Sequence, residues 1–288
     1  MKKINQQYLT GERALFKARD LQINNSTFAD GESPLKESRN INLDQSIFKW
    51  KYPLWYSEHV NVTHSIFEEM SRSGIWYTKD ISIENSTLQA PKLFRRASQI
   101  KLDHVHFSHA EETLWNCTDI EMHDVQAAGD YFGMNSQNIN IDGFNLVGNY
   151  AFDGAKNVEI HNATLMTKDA LWNCENVTVY DSQIIGEYLG WNSKNIRFVN
   201  CTIESDQGLC YMDHVTLENC TLLNTDLAFE YCSNIDADVI STIDSVKNPI
   251  SGKIHAQGIQ QIIMDDPEID ATKTIISVDQ ESQARHAV

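Results

Sequence analysis

Apolar residues recur along this chain as pairs two positions apart, and the pairs return every 19 or 20 residues. The first member falls at Leu21, Ile41, Val60, Ile81, Ile100, Ile120, Ile139, Val158, Val177, Ile196, Val215 and Ile235, with single steps of 19 to 21 residues. The second follows at Ile23, Leu43, Val62, Ile83, Leu102, Met122, Ile141, Ile160, Val179, Phe198 and Leu217. Apolar residues alternating with polar ones mark a strand with one buried face. A turn former precedes most pairs, as at Asp20, Asn40, Asp80, Asn157 and Asn195, and a second turn column lies four residues after the marker, as at Asn25, His64, Asn85, Asp124, Gly143, Asn162 and Asn200. A fixed period this short predicts a solenoid whose units bury their apolar faces on one another.

The unit 157–176 shows what one repeat contains. Val158 and Ile160 flank Glu159, a corner follows at His161-Asn162, Thr164 to Met166 resume an extended pattern, and Ala170-Leu171-Trp172 begin a third apolar stretch. Asn, Asp and Gly at the corners tolerate the left-handed backbone of a sharp bend. Helical repeats of similar length are excluded by β-branched strands and by Asn and Gly inside every would-be helix. The pattern predicts an all-β chain, a right-handed parallel β-helix of about a dozen rungs with three short strands per rung. One domain is expected over residues 1–270, with 1–20 as an N-terminal cap and incomplete rung, 236–270 as a degenerate last rung, and 271–288 as a loose tail.

A net charge of −17 disfavours nucleic acid and anionic membranes as partners, since both require clustered Lys and Arg. No apolar run follows Met1-Lys2-Lys3 and none is long enough to span a bilayer, so the cytoplasm is the expected location. The six cysteines fit packing better than bridges. Cys117, Cys174 and Cys232 share one column three rungs apart, and Cys201 and Cys220 continue the column of Ser26, Ser46, Ser65 and Ser86.

Five residues before the marker lies a column rich in tryptophan: Trp55, Trp76, Trp115, Trp172 and Trp191, interrupted by Arg95, Asp153 and Glu230. The next position holds Tyr56, Tyr77, Asn116, Asn173 and Asn192. Indoles beside amides suit a hydroxylated ring, so this stripe, with Arg96 at its edge, is expected to bind a neutral or weakly charged carbohydrate. Two other readings stay open. Strict alternation from Cys174 would turn Trp172 inward as a core ladder, and a long aromatic patch can be a homo-oligomer interface.

Glycoside hydrolysis or lyase chemistry is the alternative, centred on Asp153 with Arg95, Asp130 and Asp169 as partners, because such reactions need a second acid or base close to the first. Glu187, Asp206 and Asp226 form a carboxylate column on three successive rungs that would hold Ca²⁺; no other cofactor is expected. His104, His106, His109 and His123 are the densest histidine group, and their corner and strand positions predict that they diverge.

The repeat resembles the pectin-lyase-like right-handed β-helices, a resemblance that implies polysaccharide lyases, hydrolases, esterases and non-enzymatic relatives. GERALF (11–16), DGESPLKES (30–38), YPLWY (52–56) and the LWNC segments at 114–117 and 171–174 are more specifically similar to an uncharacterised bacterial family of such proteins. That resemblance covers nearly the whole chain and implies no particular activity. The NTD, GHG and RIK triplets of polygalacturonases do not occur, and Tyr211-Met212-Asp213-His214 is only faintly similar to a pectate-lyase segment, with His214 filling a corner.

Overall fold

The computed structural model describes residues 1–279. Contacts divide the chain into two compact units, Met1–Gly148 and the part from Asn149 onward. Each is a right-handed parallel β-helix.

In the first unit the marker strands stack in parallel as Lys2–Asn5, Arg19–Asn24, Arg39–Asp44, Glu58–Thr63, Lys79–Leu88, Ser98–Phe107, Thr118–Ala128 and Gln137–Val147. Their register is the apolar periodicity itself: Leu21, Ile41, Val60, Ile81, Ile100, Ile120 and Ile139 pair in succession, and all are buried. The corner column takes positive φ at Asn25, Gln45, His64, Asn85, His104 and Asp124, between 46° and 51°, which turns the chain toward a second strand. That strand buries Phe28, Phe48 and Phe67, whose rings stack at 4.6 Å. A fully buried Phe contributes roughly 1.5–3 kcal/mol, so this column is a main source of stability.

Buried hydroxyls serve the corners. The amide of Ser46 donates to Ser65 Oγ at 3.0 Å and that of Ser65 to Ser86 Oγ at 3.0 Å, while each Oγ donates to the carbonyl two residues earlier. These bonds satisfy backbone groups that burial would otherwise strand.

The third side is the least regular. Only Ile75–Trp76 and Phe94–Arg95 form a strand pair there. Left-handed residues recur along this side, four apart in the early coils, as at Tyr52 (φ 62°) and Tyr56 (56°), and every second residue in later ones, as at Glu112 (51°), Leu114 (58°) and Asn116 (53°). This backbone places neighbours on different sides without strict alternation: Leu114 is buried while Trp115 is only half-buried. A left-handed Leu costs about 1–2 kcal/mol, and burying its side chain returns about 1.5–3 kcal/mol, so the packing wins by a small margin.

The second unit repeats these devices. Lys156–Met166, Glu175–Tyr180, Lys194–Val199, Asp213–Leu223, Ile235–Lys247, Gly252–Ile263 and Thr274–Val278 pair in order. On its third side Asp169, Leu171 and Asn173 alternate at φ 56°, 57° and 53°. All six cysteines are buried and free, as the columns predicted. Cys201 and Cys220 take over the serine role by donating to the Val199 and Glu218 carbonyls two residues earlier at 3.4 Å.

Among the described residues there are fifteen marker strands, eight in the first unit and seven in the second, against the dozen expected. The surplus lies at the ends. Lys2–Asn5 pairs with Arg19–Asn24 as the first strand of the stack. Past residue 270 the chain does not run loose as far as it is described. Ala271–Lys273 forms a short 3-10 turn and Thr274–Val278 pairs with Gly252–Ile263; the rest of the expected tail, 280–288, lies outside the described residues. The described residues contain no helix long and apolar enough to cross a membrane.

Candidate functional site

The aromatic stripe of the first unit is anchored to the coil that follows each ring. The Trp55 indole donates to the Ser73 carbonyl, Trp76 Nε1 to Lys92 O at 2.8 Å, and Trp115 Nε1 to Tyr131 O at 2.6 Å. Every acceptor is a residue with positive φ, so the indole satisfies a carbonyl that the left-handed turn exposes. Ring faces are occupied as well. Trp55 and Trp76 stack at 5.5 Å with planes 9° apart, Tyr56 stacks on Tyr77 at 4.7 Å, and the Arg95 guanidinium lies 4.6 Å from the Trp76 ring and 4.7 Å from that of Trp115. Arg95 also reaches Glu112 at 3.3 Å, and Arg96 is exposed.

In the second unit Trp172 donates to Tyr188 O at 2.7 Å, and a column runs from Trp172 through Trp191 and Tyr211 to Tyr231 with centroid spacings of 5.5, 4.8 and 5.2 Å. The five indoles are half-buried, with Leu171 inside and Trp172 beside it partly out. Asn116, Asn173 and Asn192 are exposed. Asn192 Nδ2 donates to Asn173 Oδ1 at 2.9 Å, and Asn173 Nδ2 to Asp153 Oδ1 at 2.8 Å. The stripe therefore offers solvent its ring edges and amides, whereas the faces expected to carry sugar rings lie largely on other side chains.

Of the proposed acids and bases, Arg95 and Asp130 belong to the first unit and Asp153 and Asp169 to the second. Asp153 is half-buried and takes the Asn173 amide; Asp169, on the next coil of the same unit, has its carboxyl pushed up by burial, with the Tyr150 hydroxyl bond opposing. Asp130 is an exposed residue of the first unit. Of the carboxylate column, Glu187 pairs with Lys168 at 2.7 Å. Asp206 is hydrogen-bonded to Asp226, which raises its carboxyl above the ordinary range, with burial and the Asp226 charge adding to the shift. Glu230, which breaks the aromatic run, is buried and paired with Lys247 at 3.0 Å and with Gln207 Nε2 at 2.5 Å.

The histidines do not all diverge. At one corner of the first unit Asp103-His104 lies beside His123-Asp124 of the next coil, so that Asp faces His and His faces Asp. His123 Nδ1 stands 3.2 Å from Asp103 Oδ1 and 3.4 Å from Asp124 Oδ2; His104 Nδ1 also meets Asp103, and its Nε2 is 3.4 Å from Asp124 Oδ2. The Asp103 hydrogen bond and the Asp124 charge raise the His123 pKa. Burial pushes the Asp103 carboxyl up, but the bonds from His104 and His123 outweigh it and leave the group below its usual range. A shallow depression of about 320 Å³ opens over the same outward rows, lined by Glu84, Lys101, Asp103, Glu121, His123 and Asp142 among others. His106 points outward from its strand, and His109 pairs with Glu111 at 3.4 Å. The signal in the sequence is the reversed dipeptides, Asp-His then His-Asp, spaced by one coil of 20 residues rather than 19.

A family model described as a protein of unknown function, DUF3737, matches residues 2–277. The chain belongs to that family. No curated protein matches it. Among solved structures it is similar to PfbA, a surface adhesin of Streptococcus pneumoniae, at 14% identity over 78% of this chain and 71% of that one, with a TM-score of 0.38. It is also similar to the A-module of the mannuronan C-5 epimerase AlgE4 of Azotobacter vinelandii, at 12% identity over 95% of this chain and 80% of that one, with a TM-score of 0.25. A third likeness is to QnrB1, a plasmid-mediated fluoroquinolone resistance protein, at 12% identity over 76% and 91%, with a TM-score of 0.24. Membership of DUF3737 agrees with the resemblance to an uncharacterised β-helix family.

Proposed function

We propose that the protein is a carbohydrate-binding β-helix that holds a neutral or weakly charged glycan along the Trp/Asn stripe. The observation that supports this most is the exposed amide ladder of Asn192 and Asn173, ending on the half-buried Asp153 carboxylate, beside the half-buried indoles of Trp172 and Trp191. A carboxamide has two N–H donors and two lone pairs. Asn173 spends one donor and one lone pair on the ladder, which leaves one of each for a hydroxyl. Coils repeat at ~4.8 Å, close to the width of a pyranose ring, so a glycan lying along the axis would meet an amide on successive coils. The indoles act as an apolar wall presented edge-on, Trp172 fixed by its bond to Tyr188 and Trp191 by the rings of Trp172 and Tyr211 on either side, and little side-chain freedom is lost on binding.

Immobilised neutral glycans on an array, followed by calorimetry with the best ligand, test this reading. The double variant Asn173→Ala, Asn192→Ala should bind roughly tenfold more weakly or worse, from two lost hydrogen bonds of about 0.5–1.5 kcal/mol each. Retention of no neutral glycan, or wild-type affinity in the variant, would leave the stripe as a structural seam between coils. Turnover at Asp153 is the alternative, and Asp153→Asn would then abolish it while sparing affinity.

A further inference from the structure

We propose that Asp103, His104 and His123 form a binding site for a divalent transition-metal ion of the zinc class. The site lies within the first unit and is independent of the glycan reading. One ligand atom from each of the three residues lies within 4.8 Å of the other two, the one group of this kind among the described residues.

The separations suit a single ion. Ligands about 2.0–2.1 Å from a tetrahedral zinc stand roughly 3.3–3.4 Å from one another. His123 Nδ1 is 3.2 Å from Asp103 Oδ1, and a ligand atom of His104 lies within 4.8 Å of both residues. The two imidazoles are 5.6 Å apart and inclined by 55°, so they are not stacked and their nitrogens can converge on one point. His104 must open its direct contact with Asp103 by a small side-chain rotation, which its exposed ring permits.

Donor chemistry selects the metal. Two imidazoles with a carboxylate suit Zn²⁺, Ni²⁺ or Cu²⁺, whereas Ca²⁺ and Mg²⁺ take oxygen ligands. Charge favours occupation. Glu84, Asp103, His123 and Asp142 occupy one outward row of the sheet face, and Asp124 touches both imidazoles. Lys101, the lysine lining the depression, is paired with Glu121 at 2.9 Å. Register between two coils fixes the ligands: Asp103 pairs with His123 in the parallel ladder, and His104 is held at the left-handed corner with φ 51°. Three protein ligands leave a position open toward the depression of about 320 Å³, where water or an exogenous ligand can bind. Asp124 acts from outside the ligand set by orienting the His104 ring through Nε2.

The test uses the full chain without a polyhistidine tag. Titration with ZnCl₂ by calorimetry, and with Co²⁺ by visible absorption, should show one ion per chain. His104→Ala and His123→Ala should each weaken binding more than about tenfold, and Asp124→Asn by about tenfold. His59→Ala removes a different exposed corner histidine, one paired with Asp80, and should leave the affinity unchanged. The replaced side chains are exposed, and circular dichroism of each variant checks that the β fold is retained. Zinc and cobalt binding in the His104→Ala, His123→Ala double variant equal to that of the wild type, including no binding by either, would overturn the proposal.

Discussion

The indole nitrogen of Trp115 donates to the carbonyl of Tyr131, 16 residues ahead and one coil along, at 2.6 Å. The acceptor residue is left-handed, with φ 58°. Trp115→Phe keeps most of the ring and removes the donor. It should lower the unfolding free energy by about 0.5–1.5 kcal/mol, measured by urea denaturation, the ordinary worth of one hydrogen bond. An unchanged midpoint would show that the bond contributes nothing.

Leu171 combines complete burial with φ 57°. Leu171→Ala should cost about 2–5 kcal/mol through the cavity it leaves. Leu171→Gly removes one carbon more, yet Gly adopts the left-handed backbone without penalty. The Gly variant should therefore be no less stable than the Ala variant, the reverse of their order in a helix or strand. Thermal melts of the two side by side decide it.

The His123–Asp103 contact should give stability a pH window. His123 has its pKa raised above 6.5, so the contribution is full below pH 6.5 and fades as pH rises through the folded value. Asp103 is lowered below 3.8, so its share is present above pH 3.8 and is lost as pH falls through the folded value. The groups facing His123 are His104, Asp103, Asp124 and Asp142. The urea midpoint of the wild type relative to His123→Gln should be most favourable between about pH 4 and 6.5, and the advantage should shrink above that range. A difference that grows toward pH 9 would contradict the sign.

Asp206 shows the opposite linkage. Its carboxyl is raised because it shares a hydrogen bond with Asp226, so stability is lost as pH rises from 3.8 through the folded value. Asp206→Asn should raise the melting temperature at pH 7 and leave it unchanged near pH 3, where the native carboxyl is already protonated. If Ca²⁺ occupies the Glu187, Asp206 and Asp226 column, adding it should raise the wild-type melting temperature at pH 7, with a smaller rise in the variant.

The parts of the fold that obey a two-residue period were legible in the sequence. Ile81, Ile100, Ile120 and Ile139 pair in the register their spacing predicts, and Asn85 and Asp124 turn where expected. The third side was not, because alternate left-handed residues decouple position from facing, and nothing in the types Leu171 and Trp172 announces that backbone. The last coils were hidden for another reason. Gly252 and Thr274 occupy the marker position, and Gly252 is required there because a Cβ would lie 2.2 Å from the Ile235 carbonyl oxygen. At the histidine corner, His104 and His123 stand out in the sequence, but their convergence depends on Asp103 and on a step of 20 residues between Ile100 and Ile120.

The bonds outside the strand ladder run in two directions. Indoles reach forward, from Trp76 to Lys92 and from Trp172 to Tyr188, while buried hydroxyls and thiols reach back, from Ser136 to Leu114 and from Cys174 to Phe152. Coils that carry these residues thus give and receive the same kinds of contact within their unit. Such a chain can lengthen or shorten during descent by whole coils, since duplicating one supplies both the donor for one neighbour and the acceptor for the other. Gains and losses of a few residues are a different matter: they shift every later contact unless confined to the turns. Relatives should accordingly differ in length by multiples of 19 or 20 residues, a quantised drift written into the spacing of this sequence.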